Sequence, residues 1–300
     1  MLSQSPVLRE TPAAPAARLA HALIELSKPG VTRLVAITTL CGALTAPGSL
    51  GVLRLAAVLL GTVLVVAAAN AVNMYLERDT DGLMTRTRGR PLPSGRITPE
   101  VALIFAAVTA VSGLALLAVV GGLFCAGLAL AALVSYTVIY TPLKRVTPLS
   151  LHVGAVPGAI PPLIGWASVT GSLETLAWMQ FAILLVWQLP HFLAIAVFRR
   201  EEYARAGLRV LTVVRGVRRA KLEIAAQSLV LVLVSLLPIA LGLAGIAYAA
   251  IALSSGLLFL VLATAGLAAQ NDDVWARRVF FASMPYLVVV LGALAAFGRA

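Results

Sequence analysis

Charge is scarce in this chain of 300 residues: 12% are Asp, Glu, Lys or Arg while 60% are hydrophobic, and a soluble domain needs about 25% charged side chains to cover its surface. A soluble globule is excluded, and lipid is the solvent that the composition implies. Cysteine is nearly absent. Cys41 and Cys125 each lie inside an apolar run and are read as packed small residues, with no disulfide and no metal assigned to them. The three histidines form no Cys/His grouping at zinc spacing. Acids are few beside bases, 12 against 23, for a formal charge of +11. In a soluble protein that surplus would suggest nucleic acid. Here the basic residues sit in short segments between apolar runs, the pattern of the positive-inside rule, and no nucleic-acid partner is expected. The amino-terminal stretch lacks the apolar core of a signal peptide and mixes Glu10 and Glu25 among Arg9, Arg18 and Lys28, where a mitochondrial transit peptide is Arg-rich and poor in acids. Residues 1–27 are therefore read as a cytoplasmic tail, and the cell inner (cytoplasmic) membrane of a bacterium as the location.

Long apolar runs dominate the remainder. A membrane-spanning helix needs about 20 mostly apolar residues, and windows of that kind fall near 31–48, 54–76, 100–120, 122–140, 150–169, 175–198, 222–244, 247–269 and 278–297. The expected fold is an all-α polytopic integral membrane protein of nine transmembrane helices, with residues 28–300 forming one domain. With the amino terminus inside, every basic residue except Arg54 and Arg299 falls in a cytoplasmic segment, so one multi-pass orientation is strongly preferred. The segments 77–98, 141–149 and 199–221 are long or charged, whereas the outward connections near 121, 170 and 246 are little more than Gly-bearing turns. Function is expected at the cytoplasmic ends.

The second span leaves the membrane through Asn70, Asn73, Glu77 and Asp81, spaced by three, four and four residues, which stacks them on one face if the helix continues. A row of carboxylates at a membrane helix end repels itself unless a cation compensates it. Oxygen-only ligands favour Mg²⁺, which takes one or two carboxylates and completes its shell with water and phosphate oxygens; a solvated helix end with ordinary interfacial charge is the plainer alternative. The following loop carries Arg86, Arg88, Arg90 and Arg96, and Lys144 and Arg145 close the fourth span. Arg forks bind phosphate bidentately and Lys adds a point charge, so acids and bases together suggest a diphosphate site, with Arg86 and Arg90 favoured among the arginines.

A third cluster runs from Trp187 through Pro190, His191 and Phe192 to Arg199, Arg200, Glu201, Glu202 and Tyr203. On an uninterrupted helix His191 and Glu202 share a face, the histidine ~16 Å deeper. A histidine inside a span is a functional candidate by default, against the alternative of a hydrogen-bonded structural one. His152 and His21 carry less. The run Gly154 to Trp166, with Pro157, Pro161 and Pro162, predicts a broken or closely packed fifth span.

These strings resemble the UbiA superfamily of intramembrane prenyltransferases and, within it, the branch that farnesylates heme. The resemblance covers the chain from about Leu26 to the last span. It rests on Ser27-Lys28-Pro29, Asn73-x-x-x-Glu77-x-x-x-Asp81, Arg86-Thr87 with Arg90-Pro91-Leu92, Tyr140-Thr141-Pro-Leu-Lys144-Arg145, Pro161-Pro162-Leu-Ile-Gly165-Trp166, Trp187-Gln-Leu-Pro190-His191-Phe192, and Glu202-Tyr203. Two departures stand out: Glu77 replaces the usual first Asp, and Ser150 stands where relatives carry Asn. The resemblance implies a UbiA-type bundle in which farnesyl diphosphate loses pyrophosphate and a vinyl group of heme b takes the farnesyl group with addition of water. It implies Mg²⁺ as cofactor held by Asn73, Glu77, Asp81 and Glu202. Asn73, Glu77, Asp81 and His191 would be catalytic, and Arg86, Arg90, Lys144, Arg145 and Tyr203 would bind substrate. Farnesyl diphosphate, heme b and the lipid bilayer are the implied partners, with a downstream heme A synthase as a further one. A prenyltransferase with an aromatic, quinone-precursor acceptor would share the diphosphate machinery. A secondary transporter would instead place its charges near the bilayer midplane.

Overall fold

The computed structural model describes residues 15–298, and these form helices and turns without a β-strand. In chain order they are α1 (Pro15–Leu26), α2 (Pro29–Thr45), α3 (Val52–Gly82), α4 (Pro99–Val120), α5 (Leu123–Val134), a π-helical stretch (Ser135–Tyr140) leading into α6 (Thr141–Leu143), α7 (Ser150–Ala159), α8 (Pro161–Thr170), α9 (Thr175–Phe198), α10 (Arg200–Arg205), α11 (Leu211–Ala240), α12 (Ile246–Thr264) and α13 (Asp272–Phe297). Eight of the described segments are long and apolar enough to cross a membrane, with α5 to α6 counting as one and α7 with α8 as another. The remaining apolar helix, α2, has 17 residues, the lower limit of a span, so the nine expected segments are all helical. Arg9 and Arg299 lie outside the described residues.

The surface is more apolar than a soluble protein's, and polar side chains are buried inside the bundle. Val52, Leu53, Val119, Leu123, Ile246 and Leu258 are exposed, while Asn70, Asn73, Asp81, Gln180, Gln188 and His191 are buried. Apolar side chains meet lipid at no cost, and polar ones are kept where the bundle can partner them, Gln180 excepted, whose side-chain amide makes no hydrogen bond among the described residues. The principal core joins α8, α9, α11, α12 and α13 around Trp166, Trp187, Tyr248 and Leu287. A second core holds α1 against α3 and α4 through Ala22, Leu26, Met74 and Ala106.

Four local outcomes refine the sequence reading. The segment expected to be a tail contains α1, because Ala22 and Leu26 repeat at helical spacing and find a bundle surface to cover. α11 begins at Leu211 rather than near 222, with Arg215, Arg218 and Arg219 exposed on a helical extension beyond the apolar run and Gly216 at φ 79 interrupting it. The sixth span ends at Phe198, and Arg199 (φ −116, ψ 13) separates α9 from α10. His191 and Glu202 therefore do not share one helix face, since the turn at Arg199 resets the rotation between them. The fifth span is broken as expected, into α7 and α8 at Ile160. Gly165 lets α8 approach α2 so closely that a Cβ there would overlap the Thr39 carbonyl oxygen.

Candidate active site

α3 carries Asn70, Asn73, Glu77 and Asp81 without interruption to Gly82, so the acidic row is on one helix as its spacing predicts. Each acid is met by a cation from elsewhere in the chain. Lys144 Nζ lies 2.8 Å from Glu77 Oε1, and Arg90 Nη1 lies 2.6 Å from Asp81 Oδ2. Asp81 is 1% exposed, and its backbone carbonyl also accepts from the Thr87 hydroxyl at 2.8 Å, which folds the Arg-rich turn back over the helix end. Glu202 pairs with Arg199 at 2.6 Å and accepts from the Arg86 backbone N–H at 3.4 Å. Burial opposes its charge, but the Arg199 bond, the Arg86 N–H and the two positive charges outweigh it and hold the Glu202 carboxyl below its ordinary range. Glu201 points to solvent, which separates two neighbours that the sequence leaves equivalent.

The π-helical stretch aims the fourth span's side chains. A π turn adds a residue to the helical repeat, and such turns gather at functional sites. Here it sets Tyr140 beneath Lys144, with the ammonium 4.6 Å from the ring centroid, and brings the Thr141 hydroxyl 3.1 Å from Asn73 Nδ2, which donates to it. Gly154 on α7 leaves room for the Tyr140 ring, since a Cβ would overlap it. Arg145 Nη2 donates to the Leu76 carbonyl at 3.4 Å, Arg86 keeps its guanidinium exposed, and Tyr203 packs with Met84, Ala206 and Leu208.

Lys28 belongs to this cluster although it was not singled out from the sequence. It caps α2 at φ 49, the one described non-glycine residue with positive φ, a conformation that costs energy unless the surroundings impose it. Its Nζ donates to Asn73 Oδ1 at 2.7 Å. Among the described residues it makes no ion pair. Burial and the charges of Arg90 and Lys144 push its ammonium down to about 7, against the pull of Glu77 and Asp81. The only signal in the sequence was its place in Ser27-Lys28-Pro29.

His191 makes none of its contacts with that cluster. It is buried between Trp187 and Phe280, with ring centroids 4.6 and 4.7 Å away, and its Nδ1 lies 2.7 Å from Ser283 Oγ. The Ser283 Oγ also lies 2.6 Å from the Phe280 carbonyl, to which its hydroxyl donates, and the tautomer that completes both bonds carries its proton on Nδ1. Nε2 then carries the lone pair. Trp187 Nε1 donates to the Ser283 carbonyl at 2.6 Å. Ser283, which the sequence reading missed, thus orients both residues of the Trp-x-x-Pro-His string.

Asn73, Glu77, Asp81 and Glu202 supply oxygen alone toward any cation, the chemistry that suits Mg²⁺. Among the described residues no three acidic, His or Cys side chains gather as one ligand group, because each carboxylate is drawn to its own Lys or Arg. The four expected ligands are therefore not assembled as a single cage. One or two carboxylates suffice for Mg²⁺ when phosphate oxygens complete the shell, and on that basis the residues present fit it.

The chain is 51% identical to a protoheme IX farnesyltransferase of Sorangium cellulosum over 80% of this chain and 86% of that protein. It is 44% identical to one of Myxococcus xanthus over 92% and 94%. In fold it is similar to the solved structure of digeranylgeranylglyceryl phosphate synthase, with TM-score 0.76 and 19% identity over 93% of this chain and 98% of that one. It is also similar to a UbiA homolog from Archaeoglobus fulgidus bound to GPP and Mg²⁺, with TM-score 0.70 and 15% identity over 91% and 99%. The sequence pattern of the UbiA prenyltransferase family matches residues 35–284. A multi-pass helical bundle whose acid and base motifs meet at one end, with that match across most of its length, belongs to the UbiA prenyltransferase family.

Proposed function

We propose that this protein transfers the farnesyl group of farnesyl diphosphate to a vinyl group of heme b, with addition of water, at the cytoplasmic face of a bacterial inner membrane. The observation that carries the diphosphate half is Lys28: a half-buried amine held by an amide, in a cluster whose carboxylates already have partners. Such a cluster is short of negative charge, and a diphosphate supplies it. The names of the relatives and the histidine nest support the heme half.

The leaving group is the chain's first task. Lys28, Lys144, Arg90 and the exposed Arg86 converge where pyrophosphate would depart, and their charges favour the separated pair over the intact ester. Mg²⁺, held by Asn73, Glu77, Asp81 and Glu202, would supply Lewis-acid polarisation of the phosphate oxygens. As the diphosphate arrives, Lys144 and Arg90 turn from Glu77 and Asp81 to phosphate and free those carboxylates. The carbon–oxygen bond of the ester breaks, the allylic carbon bonds to the terminal vinyl carbon, and the positive centre left beside the macrocycle takes hydroxide from water with loss of one proton. Aromatic and aliphatic walls exclude other water while the cation lives. His191, with Nε2 bare, is placed to ligate the heme iron or to accept that proton.

Membranes carrying the protein, incubated with farnesyl diphosphate, Mg²⁺ and heme b, should yield a hydroxyethylfarnesyl porphyrin by mass. Product on a quinone precursor with none on heme b would move the assignment to the aromatic-acceptor class.

A further inference from the structure

The rings around His191 continue toward the cytoplasm and end on a cation. The Phe280 centroid lies 4.7 Å from that of His191 and 5.9 Å from that of Phe198, and the Arg277 guanidinium lies 4.9 Å from the Phe198 centroid. Seven residues of α9 separate His191 from Phe198, and six of α13 separate Ser283 from Arg277, rises of about 10.5 and 9 Å. The cation therefore stands about two helical turns to the cytoplasmic side of the imidazole, along one aromatic face. The acids near it are taken elsewhere. Asp273 stands four residues before Arg277 on α13, the spacing at which an acid and a base pair along one helix. Yet Asp273 bonds Arg200 of α10, and Asp272 bonds Lys221 of α11. Arg199, 5.6 Å from the same Phe198 ring, is committed to Glu202. Arg277 is exposed and makes no ion pair among the described residues. A guanidinium held over a ring is oriented by it and keeps its N–H fork free for a carboxylate.

Resting on the heme reading above, we propose that Arg277, oriented by Phe198, binds a propionate carboxylate of the acceptor and so fixes which edge of the macrocycle faces the farnesyl donor. Heme b carries its propionates on one edge of the ring and its vinyl groups away from that edge. A porphyrin that reaches from the imidazole toward the cytoplasmic interface puts its carboxylates where water and arginine meet. Its apolar, vinyl-bearing part stays inside the bundle, where a charge would be costly. Arg199 and Arg277 then divide one ring between the two substrates. The first is tied through Glu202 to the Arg86 turn of the diphosphate cluster, and the second is left for the acceptor.

The test is porphyrin binding to the full-length protein in nanodiscs of zwitterionic phosphatidylcholine, read by absorbance, with heme b and with its dimethyl ester, in which both propionates are uncharged. The wild type should bind heme b more tightly than the ester. Arg277→Gln should weaken heme b by about tenfold or more, the scale of a lost charge-assisted hydrogen bond, and leave the affinities for the ester and for farnesyl diphosphate as they were. Arg277→Lys should restore part of the preference for heme b. Arg278→Gln removes the same charge one residue on and should leave both porphyrins unaffected. Equal loss of heme b and ester in Arg277→Gln would make the side chain a support of the aromatic face, and loss of neither would make it a topology charge. Either result overturns the carboxylate contact while leaving heme as the acceptor. An equal effect in Arg278→Gln would overturn it too, by showing a general field instead of a contact. A wild type that binds farnesyl diphosphate but neither porphyrin would overturn the heme reading on which the site rests.

Discussion

Replacing Glu77 by Gln or Asp81 by Asn keeps shape and hydrogen-bonding capacity while removing one charge from the cluster. Each should lower turnover by about a hundredfold or more while the melting temperature, followed by circular dichroism, moves little; near wild-type product formation in both would remove these carboxylates from the reaction. Lys28→Ala takes away an amine that makes no ion pair among the described residues and should weaken prenyl diphosphate binding by roughly 1.5–3 kcal/mol, the worth of a charged hydrogen bond. Competition with labelled substrate reads it directly. His191→Ala should lower heme b binding, seen by absorbance, while prenyl diphosphate affinity holds, and Ser283→Ala should weaken heme binding less, because it frees the tautomer without removing the ring. A His191→Ala protein that binds heme and forms product normally would make this a structural histidine. The acidic row was legible because its three- and four-residue spacing is local. Its partners were not: Glu77 and Lys144 meet across 67 residues of chain, and a lone lysine ahead of an apolar run reads as topology charge until the fold sets it against Asn73.

At the scale of elements, composition exposed the spans and hid their irregularities. Twenty apolar residues announce a helix whatever its neighbours, and the Gly/Pro run between Gly154 and Trp166 announced the break at Ile160. The π-helical stretch left no periodic trace, since one extra residue in Ser135–Tyr140 is invisible against uniform hydrophobicity. The turn at Arg199 was hidden for a similar reason, because Arg, Glu and Tyr all accept helix and only tertiary contacts decide where it bends. The π stretch matters through Gly154, where the Tyr140 ring sits against bare backbone. Gly154→Leu should displace that ring and with it Lys144. Overpacking costs about 1–3 kcal/mol, so we expect a lowered melting temperature together with a raised KM for prenyl diphosphate. An unchanged KM would separate Tyr140 from the placement of Lys144.

For the whole molecule the measurable quantity is sidedness. Ser94 lies in the Arg-rich turn and Ser172 in the connection from α8 to α9, and both are exposed, while the native thiols Cys41 and Cys125 are buried. A cysteine at Ser94 should be labelled by a membrane-impermeant reagent only from the cytoplasmic side and one at Ser172 only from outside; the reverse would invert the orientation that the basic residues favour. The pairing of Glu77 with Lys144, Asp81 with Arg90 and Glu202 with Arg199 has a consequence for biogenesis. Helices bearing uncompensated charge are costly to insert, yet here each of these three acids leaves the translocation machinery destined for a base in the same chain. The bundle can assemble electrically neutral at each of these points, so its maturation in the bilayer need not wait for substrate.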